Sequence, residues 1–146
     1  MTLDLLANCC RVRSLLAAAA LIALAGCAPH DIVMGSGCTN SVLSVHDEWT
    51  CTVTGDPVGR PSWVEFKTES RNKVAEVNFT IQVTKGSVRV KYADLSGSQQ
   101  IVVTPSEPAN VNMKTQMSDR RTFTLGFEPV NGTAEGLTGT VKYSTP

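Results

Sequence analysis

Val77-Asn78-Phe79-Thr80-Ile81-Gln82-Val83 and Val88-Arg89-Val90-Lys91-Tyr92 alternate apolar and polar side chains without a break, separated by Thr84, Lys85, Gly86 and Ser87. Successive side chains of a strand point to opposite faces, so each run has one apolar and one polar face, as a half-buried strand requires. With Lys85-Gly86 as a tight turn, Val83 faces Val88, Ile81 faces Val90 and Phe79 faces Tyr92, while Gln82 faces Arg89 and Thr80 faces Lys91. A one-residue slip would put every pair on the wrong face, so the pattern predicts a hairpin in this register.

The same reading extends outward in both directions. Residues 110–117 and 122–127 predict a second pair around a loop at 119–121, with Met117 facing Phe123, Thr115 facing Leu125 and Met113 facing Phe127. Further β-branched and aromatic runs bounded by Gly, Pro, Asn, Asp and Ser lie at 42–45, 49–54, 62–67, 99–104 and 137–143. No long amphipathic helical pattern competes with them. Strands with one apolar face each must bury it against one another, which asks for two sheets packed face to face. The expectation is an all-β chain folding as a single antiparallel β-sandwich of eight or nine strands, with a small barrel as the alternative. An antibody-type domain is excluded by spacing: Cys38 and Cys51 are too close in sequence for its inter-sheet bridge.

The first 26 residues read differently. Arg11 and Arg13 outweigh Asp4, an apolar stretch follows from Leu15 to Ala25, and the segment closes on Leu24-Ala25-Gly26-Cys27. The stretch has signal-peptide length and is shorter than the roughly 20 apolar residues that span a bilayer. The segment resembles the type II signal peptides of bacterial lipoproteins, matching their lipobox at every position. The resemblance implies cleavage before Cys27, a diacylglyceryl thioether on that cysteine, and acylation of its new amine. Two or more acyl chains suffice for stable anchoring, since each buried methylene contributes roughly 0.8 kcal/mol. Ala28 rather than Asp after the cysteine implies, by the family's sorting rule, the outer membrane if the cell envelope is diderm.

The implied organisation is a leader at 1–26, the lipidated Cys27 with a short tether through 37, and a domain at 38–146. Pro29, Gly35, Ser36 and Gly37 mark the tether as irregular. Ten extended residues reach at most about 35 Å, so the domain would stay near its membrane. The leader removes two of the 13 basic and one of the 13 acidic residues, leaving 120 residues with a net charge of −1. That balance predicts no nucleic-acid partner and no polyanion-binding surface. Cys9 and Cys10 fall in the leader, which leaves Cys38 and Cys51 as an even pair. In an oxidising compartment they are expected to form a disulfide worth about 3 kcal/mol.

The search for chemistry yields little. Cys38 and Cys51 lack a Cys-x-x-Cys spacing and the chain has two histidines, His30 and His46, so no metal or cofactor site is predicted. His46, Asp47 and Glu48 carry catalytic side-chain types but are sequence neighbours, which a strand would splay to opposite faces; a solvated loop is the expectation there. Gly-x-Ser-x-Gly elbows and phosphate-cradling loops are absent, and Glu65, Asp94, Glu128 and Glu135 supply no particular acid pair. Tyr92 and Tyr143 fall in phase with apolar faces and are assigned to the core, as is Trp63 at a strand start after Pro61. The outward row of Thr80, Gln82, Arg89 and Lys91 reads as a solvated face that could meet a polar ligand.

The sequence therefore predicts a non-enzymatic envelope lipoprotein, held to a membrane through Cys27, that binds or braces another envelope protein or polymer. The alternative is a small-ligand or carbohydrate-binding module using Trp63, Arg89 and Lys91. Exposure of Trp63 and Trp49 is the feature that separates the two.

Overall fold

The structure, a computed structural model, describes residues 34–40 and 47–145. These residues form nine strands: β1 (Gly35–Asn40), β2 (Asp47–Gly55), β3 (Ser62–Lys67), β4 (Val74–Gln82), β5 (Val88–Asp94), β6 (Gly97–Val103), β7 (Ala109–Gln116), β8 (Thr122–Pro129) and β9 (Leu137–Thr145). They form two antiparallel sheets, one of five strands in the order β1-β2-β9-β4-β7 and one of four in the order β3-β8-β5-β6. The chain is a β-sandwich. The expected strand at 42–45, His30, His46 and Cys27 lie outside the described residues. β1 takes in Gly35, Ser36 and Gly37, which the sequence reading placed in the tether.

The alternation assigns the faces correctly. Val77, Phe79 and Ile81 from β4 and Val88 and Val90 from β5 are all buried, whereas Thr80, Gln82 and Lys91 are exposed. Aromatic rings fill the space between the sheets: Tyr143 of β9 meets Phe66 and Phe123 edge-on at 6.1 and 5.1 Å, and Phe79 meets Tyr92 edge-on at 5.3 Å. Such pairs contribute about 0.5–1.5 kcal/mol beyond the area they bury.

Both expected hairpins are corrected by the structure. β4 pairs with β9 and β7, and β5 pairs with β8 and β6, so Ile81 lies beside Gly139 and Ala109 while Val90 lies beside Phe127 and Ile101. Thr80 and Lys91 are in different sheets. Residues 83–87 cross from one sheet to the other, and their backbone bonds go to a third segment: Thr84 and Lys85 donate to the Glu135 carbonyl at 3.0 and 3.3 Å, and Glu135 donates back to Lys85 at 2.9 Å. Gly86, at φ 77°, allows this docking, because a Cβ there would stand 2.8 Å from the Thr133 carbonyl oxygen. Likewise β7 pairs with β4 and β8 with β3 and β5, so Met113 and Thr115 do not face Phe127 and Leu125 within one sheet. The physical reason is common to both: alternation fixes which face is buried, and two strands stacked across a core satisfy it as well as two strands side by side.

Cys38 and Cys51 are bonded, and they are direct cross-strand partners on β1 and β2. The bond fastens an edge strand that contains two glycines and packs little against the core, its residues after Gly35 being exposed.

Candidate functional site

In β3, Val64 and Phe66 point into the core, so Trp63, Glu65 and Lys67 point outward. Trp63 is 73% exposed. The core assignment for Trp63 is therefore overturned, for a reason already in the sequence: it shares its parity with Glu65 and Lys67 rather than with Val64 and Phe66. Trp49 differs. It lies in phase with Cys51 and Val53, is half-buried, and stacks on Tyr143 at 6.3 Å between ring centroids.

The cross-strand neighbour of Trp63 is Gly126, that of Gly126 on its other side is Lys91, and that of Lys91 is Gln100. These four positions form one row across all four strands of the second sheet. Gly126 has no side chain, which leaves the indole and Lys91 on either side of a bare strip of backbone about 10 Å across, two strand spacings. One step along the strands, Glu128 receives the Lys91 ammonium at 2.6 Å and the Arg89 guanidinium at 3.3 Å. The bond from Lys91 holds the Glu128 carboxyl below its ordinary pKa, with Arg89 adding to the effect. The three residues proposed from sequence, Trp63, Arg89 and Lys91, thus lie on one face, joined there by Gly126 and Glu128. Nothing in sequence spacing could have picked the last two, because they sit on β8 and meet the others only through sheet order.

The opposite outer face, on the five-stranded sheet, carries a shallow cleft of ≈ 580 Å³ between Glu48, Thr50, Lys142, Asn78, Asn112 and Lys114. Its lining pairs internally: the Asn78 amide donates to Asn112 at 2.6 Å and Lys114 bonds Glu76 at 2.8 Å. No exposed aromatic stands on it among the described residues.

Asp47 and Glu48 open β2 and, as strand neighbours, diverge. The expected solvated loop is thus corrected to a strand start for these two residues. Asp47 is a structural acceptor. One carboxylate oxygen accepts from Trp49 Nε1 at 2.7 Å and Asn40 Nδ2 at 3.4 Å. The other accepts from the Thr68 hydroxyl and from the backbone amides of Glu69 and Ser70 at 3.1 Å. Burial alone would raise its pKa, but the donors from Thr68, Ser70, Trp49 and Glu69 outweigh that and lower it. Burial, followed by the charge of Asp47, pushes Tyr143 up to about 12. Its hydroxyl donates to the Lys67 carbonyl at 2.6 Å. Of the other acids, Glu135 bonds Lys85 at 2.9 Å and Asp94 accepts from the Ser96 amide at 2.7 Å in its own turn. Glu65 stays exposed on the Trp63 face.

No protein-family model and no curated protein matches the sequence. Among solved structures, the chain is similar to the PRD1 vertex protein P5 at 8% identity and a TM-score of 0.49, covering 70% of this chain and 98% of that one. A structure from work on disulfide-linked pili of Bacillus endospore appendages gives 15% identity and a TM-score of 0.40 over 78% and 88% of the two chains. The family 11 carbohydrate-binding module of a cellulosomal cellulase of Clostridium thermocellum gives 10% identity and a TM-score of 0.36 over 76% and 88%.

Proposed function

We propose that this chain is a non-enzymatic envelope lipoprotein, anchored through Cys27, whose sandwich binds a carbohydrate polymer on the outer face of its four-stranded sheet. The observation that carries the reading is Trp63, 73% exposed beside the bare backbone of Gly126. A flat indole stacks on the apolar C–H face of a sugar ring. Glu128, Lys91 and Arg89, fixed by their mutual ion pairs, supply an acceptor and donors for ring hydroxyls at the edge of that platform. Bracing of an envelope protein by the same face is the rival reading.

Fluorescence of a Trp49→Phe variant, which leaves Trp63 as the sole indole of the domain, tests the binding. Titration with soluble envelope glycans and peptidoglycan fragments should shift the emission. Trp63→Ala should weaken affinity, read by calorimetry, at least tenfold, about 1.4 kcal/mol. Emission unmoved by any glycan would remove the carbohydrate reading. Anchoring is tested separately by detergent-phase partitioning: Cys27→Ser should leave an uncleaved or poorly retained protein, and a mature-sized, membrane-bound product would defeat that part.

A further inference from the structure

The two sheets have four edge strands, and three of them are blunted. β1 is short, glycine-containing and locked by the Cys38–Cys51 bond. β3 follows Pro61 and carries Glu65 and Lys67. β7 carries Lys114, and the turn after β5 covers it, with the Leu95 amide donating to the Lys114 carbonyl at 3.0 Å and the Thr115 hydroxyl donating to the Ala93 carbonyl at 2.7 Å. These are the devices by which sheets avoid adding foreign strands. β6 carries no charge and no disulfide, and shares with β1 only a glycine, Gly97, at its first position. It pairs with β5 residue for residue without a bulge, its other edge has no partner strand among the described residues, and no charged residue occurs from Leu95 to Ser106. Two of the three exposed large hydrophobic residues among the described ones, Leu95 and Val102, lie on this strand or the turn leading into it.

We propose that two copies of the chain pair through β6, antiparallel about a two-fold axis at Gln100, so that the two four-stranded sheets become one of eight strands. A neutral strand offers nothing to a charged peptide, and β6 is its own complement. In this register Gln100 faces the second copy's Gln100, Ser98 faces the second copy's Val102, and Gln99 faces the second copy's Ile101. No like charges meet, the side-chain amides of the two Gln100 residues can bond across the axis, and each Val102 gains the second copy's Ser98 as a neighbour. Direct cross-strand partners share a face, so the row Trp63, Gly126, Lys91, Gln100 runs on into the second copy in reverse order. The two indoles then stand seven strand spacings apart, roughly 34 Å. The pairing itself is independent of the carbohydrate reading; its use, a double platform that favours a long polymer over a short one by effective concentration, rests on that reading.

Cross-linking of the full-length chain in intact cells decides the matter. Opposed Cβ atoms at the axis lie about 5 Å apart, so Gln100→Cys should give a reducible dimer on mild oxidation. Adding Val102→Lys, an exposed position where a lysine does not disturb the core, should cut that dimer at least tenfold by setting charge on the edge. Thr80→Cys, on the other sheet, should give none. A folded Gln100→Cys protein that stays monomeric, or equal cross-linking from Thr80→Cys, overturns the proposal. Trp63→Ala should leave the cross-link intact while weakening glycan binding at least tenfold, so failure of the ligand reading and failure of the pairing are separable.

Discussion

The outer face of the five-stranded sheet presents Thr50, Thr52, Thr80, Asn78, Asn110 and Thr140 with the charged Glu48, Glu76, Lys114 and Lys142, whereas that of the four-stranded sheet presents Trp63, Lys91, Arg89, Glu128 and Val102. Both faces back onto one core and both are the polar half of an alternating pattern. Threonine and asparagine satisfy water and the strand's preference for β-branched residues, and nothing more is needed to explain them. A 73% exposed tryptophan is different, because burying it would have stabilised the fold and the inner face of its own strand, which holds Val64 and Phe66, is one residue away. The contrast teaches that two outer faces with the same alternating pattern differ in what they expose: a large aromatic ring stands on one and none on the other among the described residues.

The comparison breaks most severely at the shared core. Ile81→Asp would bury an unpaired carboxylate between the sheets and should cost several kcal/mol, unfolding both faces together. Thr80→Asp, its neighbour on the outer face, should stay within about half a kcal/mol. Thermal melts of the pair check this, and equal melting temperatures would mean that β4 is not one-sided. Next in size, replacing Cys38 and Cys51 by alanine should cost about 3 kcal/mol. Amide hydrogen exchange should show the earliest loss of protection in β1, on the five-stranded sheet alone.

Asp47 sharpens the comparison in a third way, since it fastens the start of β2 to the turn that follows β3. Asp47→Asn should cost about 1–3 kcal/mol, the worth of hydrogen bonds to a charged acceptor. Because its folded pKa lies below the ordinary 3.8, its contribution is full above that value and is lost as the pH falls through the folded pKa. The stability gap between wild type and Asp47→Asn should therefore be constant at neutral pH and narrow below about pH 4. Denaturant titrations at pH 7 and pH 3 measure it, and a gap that widens in acid would contradict the assignment. The smallest stability effect belongs to Trp63→Ala, expected within about half a kcal/mol while glycan affinity falls at least tenfold. Thr52→Ala on the opposite face should change neither quantity.

Face assignment was legible residue by residue, since Val77, Phe79, Ile81 and Val83 needed only parity to be placed in the core. Strand partners were not. The segment 83–87 reads as a tight turn until residues 133–135, some fifty positions later, arrive to take its backbone bonds. Long-range docking of this kind leaves no local mark except Gly86 itself. The candidate site was half legible. Parity alone places Trp63 with Glu65 and Lys67, and ranking tryptophan as a core residue overrode that signal. Gly126 and Glu128 become visible only when β8 is known to lie between β3 and β5.

The disulfide, described above as a fastening for β1, also sets how the sandwich bears a load. A pull on the chain ahead of Gly35 can peel Gly35, Ser36 and Gly37 from Thr54, Val53 and Thr52 one hydrogen-bonded step at a time. At Cys38 the unzipping stops against a covalent bond to Cys51, whose side chain is fully buried in the core. From that point tension passes through the Cys38–Cys51 bond into β2, which is held on its other edge by nine paired residues of β9.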